Sequence, residues 1–128
     1  MKSIFKQCNI VIPISLDTEL DKKLNWGQVK KLQKNFLFTI GGHSHNHVSL
    51  GSLSKKKAEA EINKSFALFK KKANIKLKHY SYPEGQKIDF NANIIKILKK
   101  KKILLCPSAI SGVNNLMTDF FKLRRIMM

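Results

Sequence analysis

The chain has 128 residues, 43% of them hydrophobic, and 25 Lys and Arg against 8 Asp and Glu give it a formal net charge of +17. That is the length of one domain with enough apolar material for a core, which excludes a disordered polymer, and no apolar run reaches the ~18 residues of a transmembrane helix. The charge invites an acidic partner, but the cations are nearly all Lys, with Arg only at Arg124 and Arg125; base readers and phosphate clamps favour the planar arginine fork, so the excess reads as a drift toward Lys, Asn and Ile and not as a specific nucleic-acid interface.

The first 14 residues combine a basic residue with an apolar stretch that Lys6, Gln7 and Asn9 interrupt, and no small-residue cleavage site follows. This is a poor signal peptide and a good buried strand over residues 9–15, placed at an edge or an end by Pro13. Cys8 and Cys106 are the only cysteines and lie far apart, which reads as two buried thiols in a reducing, cytoplasmic compartment. Residues 16–24 are polar and loop-like. Asn25 with Gln28 three residues on has the spacing of a capping box, and Trp26, Val29 and Leu32 follow at helical steps, predicting a helix over 26–35. The run FLFTI over 36–40, ended by Gly41 and Gly42, predicts a strand buried on both faces.

Ser54 is the next N-cap, and Ala58, Ile62, Phe66, Phe69 and Ala73 mark one face of a helix over 55–73. A short strand over 78–82 is stopped by Pro83 and Gly85. Asp89 is placed to cap a helix over 90–100, with Phe90, Ile94, Ile97 and Leu98 inward and lysines at its C-terminal end, where cations suit the dipole. Residues 103–106 read as another buried strand. Alternating strands and helices predict a single α/β domain over 1–128 with mostly parallel strands, whose ligand sites belong at the C-terminal strand ends.

Two motifs fall at such ends. In Gly41, Gly42, His43, Ser44, His45, Asn46 and His47, three of the four histidines lie within five residues. Neutral imidazole is a good ligand for zinc and similar ions, but a catalytic site needs about three protein ligands, so on spacing alone this is half a metal site or a polar loop. The second motif is Tyr80, Ser81, Tyr82, Pro83, Glu84 and Gly85. Taken alone it is a strand-ending turn, yet its Pro and Gly can aim the Glu84 backbone N–H at a developing oxyanion.

Together these motifs resemble those of the polysaccharide deacetylases, carbohydrate esterase family 4 with its NodB-homology domain. His43, Ser44 and His47 match the family's H-[ST]-x-x-H. Residues 24–29 resemble the L-[TS]-W-x-Q-[VL] helix start that precedes it, residues 50–54 the continuation that follows it, and residues 80–85 the third motif in its F-x-Y-P-x-G variant. The resemblance runs from about residue 9 to about 125. It implies a (β/α) barrel and metal-dependent removal of N-acetyl groups from amino sugars of a polysaccharide or glycan. His43 and His47 would be ligands of a divalent metal, most simply zinc, with Ser44 supporting their loop and the Glu84 N–H holding the oxyanion. Tyr82, Pro83 and Gly85 would shape the substrate site, and Arg125 would meet an anionic group or simply end an edge strand.

The family's first motif, T-F-D-D, supplies both a metal ligand and the general base, and this chain carries no match to it. Asp17, Glu19 and Asp21 lie in a polar loop without that motif's surroundings, and the family's late catalytic histidine has no counterpart either. The expectation is therefore a partial barrel lacking its first strand and helix. It would bind zinc weakly and leave a sheet edge open to self-association. The alternatives are a non-catalytic carbohydrate-binding or assembly module and, behind it, a basic nucleic-acid-binding protein.

Overall fold

The computed structural model describes residues 22–126. The strand expected over 9–15, the residues Asp17, Glu19 and Asp21, and Cys8 lie outside them. Among the described residues three helices form: α1 (Trp26–Lys34), α2 (Lys55–Ala73) and α3 (Ala92–Lys100), with a 3-10 turn at Leu50–Ser52.

The helices begin where local chemistry dictates. Asn25 and Gln28 form the reciprocal capping box of α1, the Gln28 N–H donating to Asn25 Oδ1 at 2.9 Å and the Asn25 N–H to Gln28 Oε1 at 2.8 Å. Ser54 caps α2, which ends on Asn74 in the left-handed region at φ 56°. Asp89 is not the cap of α3. That role belongs to Asn91, whose side chain accepts from the Asn93 and Ile94 N–H groups. Asp89 is buried and accepts instead from the Gln86 N–H, closing the turn one step earlier.

Between the helices, extended segments lie side by side and parallel. Bridges join Gly42 to Tyr80, His79 to Leu105, and Pro107 to Leu123, so the segments are ordered as in the sequence. The Gly42 N–H donates to His79 O at 3.0 Å, the Ser81 N–H to Gly42 O at 2.9 Å and the Leu104 N–H to Lys78 O at 2.8 Å. These are bridges, not long strands, and among the described residues the helices dominate the regular structure.

The expected buried strand over 36–40 does not form as such. The Phe38 N–H donates to Asn35 O and the Leu37 N–H to Asn35 Oδ1. A turn that terminates α1 therefore consumes the start of the run. Phe36, Leu37 and Phe38 are exposed. In the segment over 103–106, Ile103 and Cys106 are buried, Leu105 is half-buried and Leu104 is exposed, so this segment is only partly covered.

The core lies between this parallel layer and the helices. Ala58 and Ile62 of α2 and Ile94, Ile97 and Leu98 of α3 meet Tyr80, Tyr82, Cys106 and Phe121. Burying each large aliphatic side chain stabilises by about 1.5–3 kcal/mol. Trp26 of α1 meets Phe69 of α2 edge-on at 5.4 Å. Among the described residues no helix is long and apolar enough to cross a membrane.

Candidate functional site

The two motifs meet at one end of the parallel layer. Gly42 allows the approach: a Cβ there would lie 2.5 Å from the Tyr80 ring. Beyond it the chain makes a tight loop in which Ser44 and His47 both take left-handed backbone, at φ 59° and 53°. Non-glycine residues hold that conformation only when their surroundings impose it. Here the Ser44 N–H donates to the Tyr80 hydroxyl at 2.7 Å, and the Val48 N–H reaches Ser44 Oγ at 3.3 Å. On the other side, Asn46 donates its backbone N–H to Glu61 Oε2 at 3.0 Å and its side-chain amide to Glu61 Oε1 at 2.8 Å.

The loop brings the His43 and His47 rings to 4.8 Å between centroids, at 69°. His43 Nδ1 lies 3.0 Å from the Ser81 carbonyl and 2.8 Å from Ser81 Oγ. A proton on Nδ1 would satisfy the carbonyl oxygen, which can only accept, and would leave the Nε2 lone pair free. His47 Nδ1 is 3.8 Å from Glu84 Oε1, with both side chains largely exposed. The second motif thus faces both histidines on their Nδ1 sides, the arrangement by which outer partners orient metal-binding imidazoles.

The turn over 82–85 is built by burial and by glycine. Pro83 and Gly85 are buried, and Glu84 (φ 58°) and Gly85 (φ 71°) are consecutive left-handed residues. A Cβ on Gly85 would lie 2.7 Å from Ala109 N, whose N–H donates to Gly85 O at 2.8 Å. Among the described residues no acceptor takes the Glu84 backbone N–H. Tyr82 does not face the opening. It is 2% exposed, stacks on Phe90 at 4.2 Å and donates its hydroxyl to Phe121 O at 2.9 Å, bracing the turn from the core side. Arg125 is exposed at the end of the last extended segment, its N–H donating to Ile110 O.

A cleft of about 480 Å³ opens beside the histidines, lined by Thr39, Gly41, His43, His79, Ser81, Leu105 and Pro107 among others. His45 is exposed and His79 half-buried on the cleft wall. Among the described residues no third His, Cys, Asp or Glu joins a pair to make a metal-holding group. Spacing alone had not singled out Ser81, Asn46, Glu61 or the Tyr80 hydroxyl. One signal for Glu61 was present: it falls three residues after Ala58, a carboxylate on the apolar stripe of α2.

The sequence profile of the family described as polysaccharide deacetylase matches residues 11–105. Among solved structures, the deacetylase PplD of Streptococcus pyogenes in complex with acetate superposes with a TM-score of 0.72 at 20% identity, over 97% of this chain and 55% of that one. The deacetylase domain of BpsB from Bordetella bronchiseptica gives 0.72 at 14% identity, over 90% and 53%. IcaB from Ammonifex degensii gives 0.67 at 16%, over 98% and 60%. At these identities the likeness is one of fold, and the chain spans little more than half the length of each structure. No curated protein matches it by sequence.

Proposed function

The chain belongs to the polysaccharide deacetylase family, and on that premise we propose that it is a hydrolase domain that removes N-acetyl groups from amino sugars of a polysaccharide or glycan with the help of a divalent metal, most simply zinc. In this reading the parallel layer is part of a NodB-type (β/α) barrel. The observation that carries the proposal is the convergence of His43 and His47 over the 80–85 turn, with His43 Nδ1 turned to Ser81 at 3.0 Å from its carbonyl oxygen.

These residues fit two positions of a zinc site. Such an ion would supply Lewis acidity toward an amide carbonyl and a water. The third ligand and the general base would come from carboxylates outside the described residues. The Glu84 N–H, held outward by its left-handed turn, would donate to the oxygen on which charge develops. Pro83 and Gly85 would fix that donor, Tyr82 would brace it, and Arg125 would meet an anionic group or simply end the edge strand. If a barrel strand is missing from the protein as it exists, the uncovered edge would favour self-association, which its oligomeric state in solution measures.

The test is zinc affinity of the purified chain beside His43→Ala and His47→Ala, with release of acetate from N-acetylated amino-sugar oligomers before and after chelation. The expected result is zinc binding that falls at least about tenfold in each variant. Equal affinity in all three proteins would remove the metal site. The two-donor set favours one other reading, a carbohydrate-binding module without turnover. That reading requires glycan binding indifferent to chelator.

A further inference from the structure

One side chain of α2 breaks the pattern of its apolar face. Glu61 is 9% exposed and stands beside Ile62, which is fully buried. A carboxylate withdrawn from water is tolerated only when its oxygens are paired. Among the described residues no cation pairs with it. Both oxygens are engaged by one residue of the histidine loop: the Asn46 N–H reaches Oε2 at 3.0 Å and the Asn46 side-chain amide reaches Oε1 at 2.8 Å. Asn46 sits between His45 and His47, next to the left-handed His47. On the far side the same loop is held by the Ser44 N–H on the Tyr80 hydroxyl. The loop is thus gripped from two elements, and the Glu61 grip lies closer to His47.

We propose that Glu61 is a positioning residue, acting through Asn46 to hold the 43–47 loop in the conformation that brings the two imidazoles together, and so setting the metal affinity of the site. The inference rests on reading His43 and His47 as ligands. It predicts that α2 controls metal binding although it contributes no ligand.

Zinc affinity, measured by competition with a chelating dye, distinguishes clamping from simple stabilisation in four proteins: the unaltered chain, Glu61→Gln, Asn46→Asp and the double variant. Glu61→Gln removes the carboxylate charge and sets an amide nitrogen against the Asn46 nitrogen until the Asn46 amide turns its oxygen toward it. Asn46→Asp sets two carboxylates against each other. The double variant restores a donor opposite an acceptor. Asn46→Asp is expected to lose about tenfold or more in affinity, within the range for partners that orient ligands, Glu61→Gln less because the Asn46 amide can turn over, and the double variant to regain most of the Asn46→Asp loss. Single variants that melt earlier but bind zinc as before, or a double variant that binds no better than Asn46→Asp, would overturn the proposal. Amide exchange of the metal-free chain provides a second readout. In Glu61→Gln, exchange at Asn46 should quicken while the amides of α2 hold, and uniform acceleration would reduce Glu61 to a fold-stabilising residue. If the unaltered chain binds no zinc, the ligand reading fails, and exchange at Asn46 still decides whether Glu61 clamps the loop.

Discussion

Tyr80 and Ser81 are neighbours in the chain, and their side chains serve opposite faces of one extended segment. Tyr80 and Tyr82 turn toward the helices and are each 2% exposed; Tyr80 stacks with Phe66 at 6.2 Å and Tyr82 with Phe90 at 4.2 Å. His79 and Ser81 turn to the cleft, where Ser81 meets His43. Successive side chains of an extended chain point to opposite sides, so one short segment anchors the fold with one set of residues and furnishes the site with the other. Helix-side substitutions that touch neither the Tyr80 hydroxyl nor Glu61 should then change stability and leave metal binding alone, while cleft-side substitutions should do the reverse.

The largest effect expected on the helix side is from Leu98→Ala. Leu98 is fully buried against the parallel layer, and removing its side chain should cost about 2–5 kcal/mol, with a fall in Tm of about 10 °C or more. Zinc affinity measured well below the transition should be unchanged. A drop in affinity that tracks the drop in stability would show that the two faces are mechanically coupled and would break the division.

Alkaline pH probes the same core from another direction. Burial, the largest cause, pushes the Cys106 thiol from an ordinary 9.0 up to about 12 and the Tyr80 phenol from 10.0 to about 12, and it raises Tyr82 further still. These groups are neutral when protonated, and the folded state holds their protons longer than the unfolded state does. Between the unfolded and folded values the unfolded chain therefore binds fewer protons, and stability falls as pH rises. The loss should begin near pH 9, where the unfolded Cys106 thiol ionises, and continue toward about pH 12. Urea midpoints against pH should show this. Cys106→Ala should move the onset upward toward about pH 10, where the tyrosines take over. An onset left in place would mean that the thiol ionises as readily in the folded protein as in the unfolded chain.

The residues that act locally were legible in the sequence. Ser54 and the apolar steps from Ala58 to Ala73 placed α2 over the residues it occupies, because a cap and a periodicity of three and four residues are complete within the segment itself. The Asn25 and Gln28 pair marked α1 for the same reason. Where two residues of one chemistry compete, sequence gave no means of choosing: Asp89 and Asn91 both can cap, and Asp89 is drawn off by the Gln86 N–H. A continuous apolar run such as 36–40 reports hydrophobicity and not which side finds a neighbour, and the α1-terminating turn at Asn35 was hidden in it. In the site, His43, His47 and the 80–85 turn were visible as motifs. Their meeting was not, since Ser81 lies 38 residues from His43 and Glu61 lies 15 from Asn46. Contacts at such separations are set by how the segments stack.

The smallest effect expected, and the one that best locates the boundary of the core, comes from Asn25→Ala. No residue of α1 is fully buried, and its main anchorage is Trp26, edge-on to Phe69 at 84°. Losing the Asn25 side chain orphans the Gln28 N–H at the exposed start of the helix and should cost about 1 kcal/mol or less. If α1 is a separately fraying unit, that cost falls on α1 alone: amides at residues 28–30 exchange faster, those of Ile62 and Leu98 do not, and Tm barely moves. If the Ile62 and Leu98 amides quicken in proportion, the Trp26–Phe69 contact transmits the loss. The cooperative core then extends through α1 to the rim of the cleft at Thr39. In that case the stabilising face is not confined to α2 and α3, and the turn after Asn35 connects it directly to the segment that delivers His43.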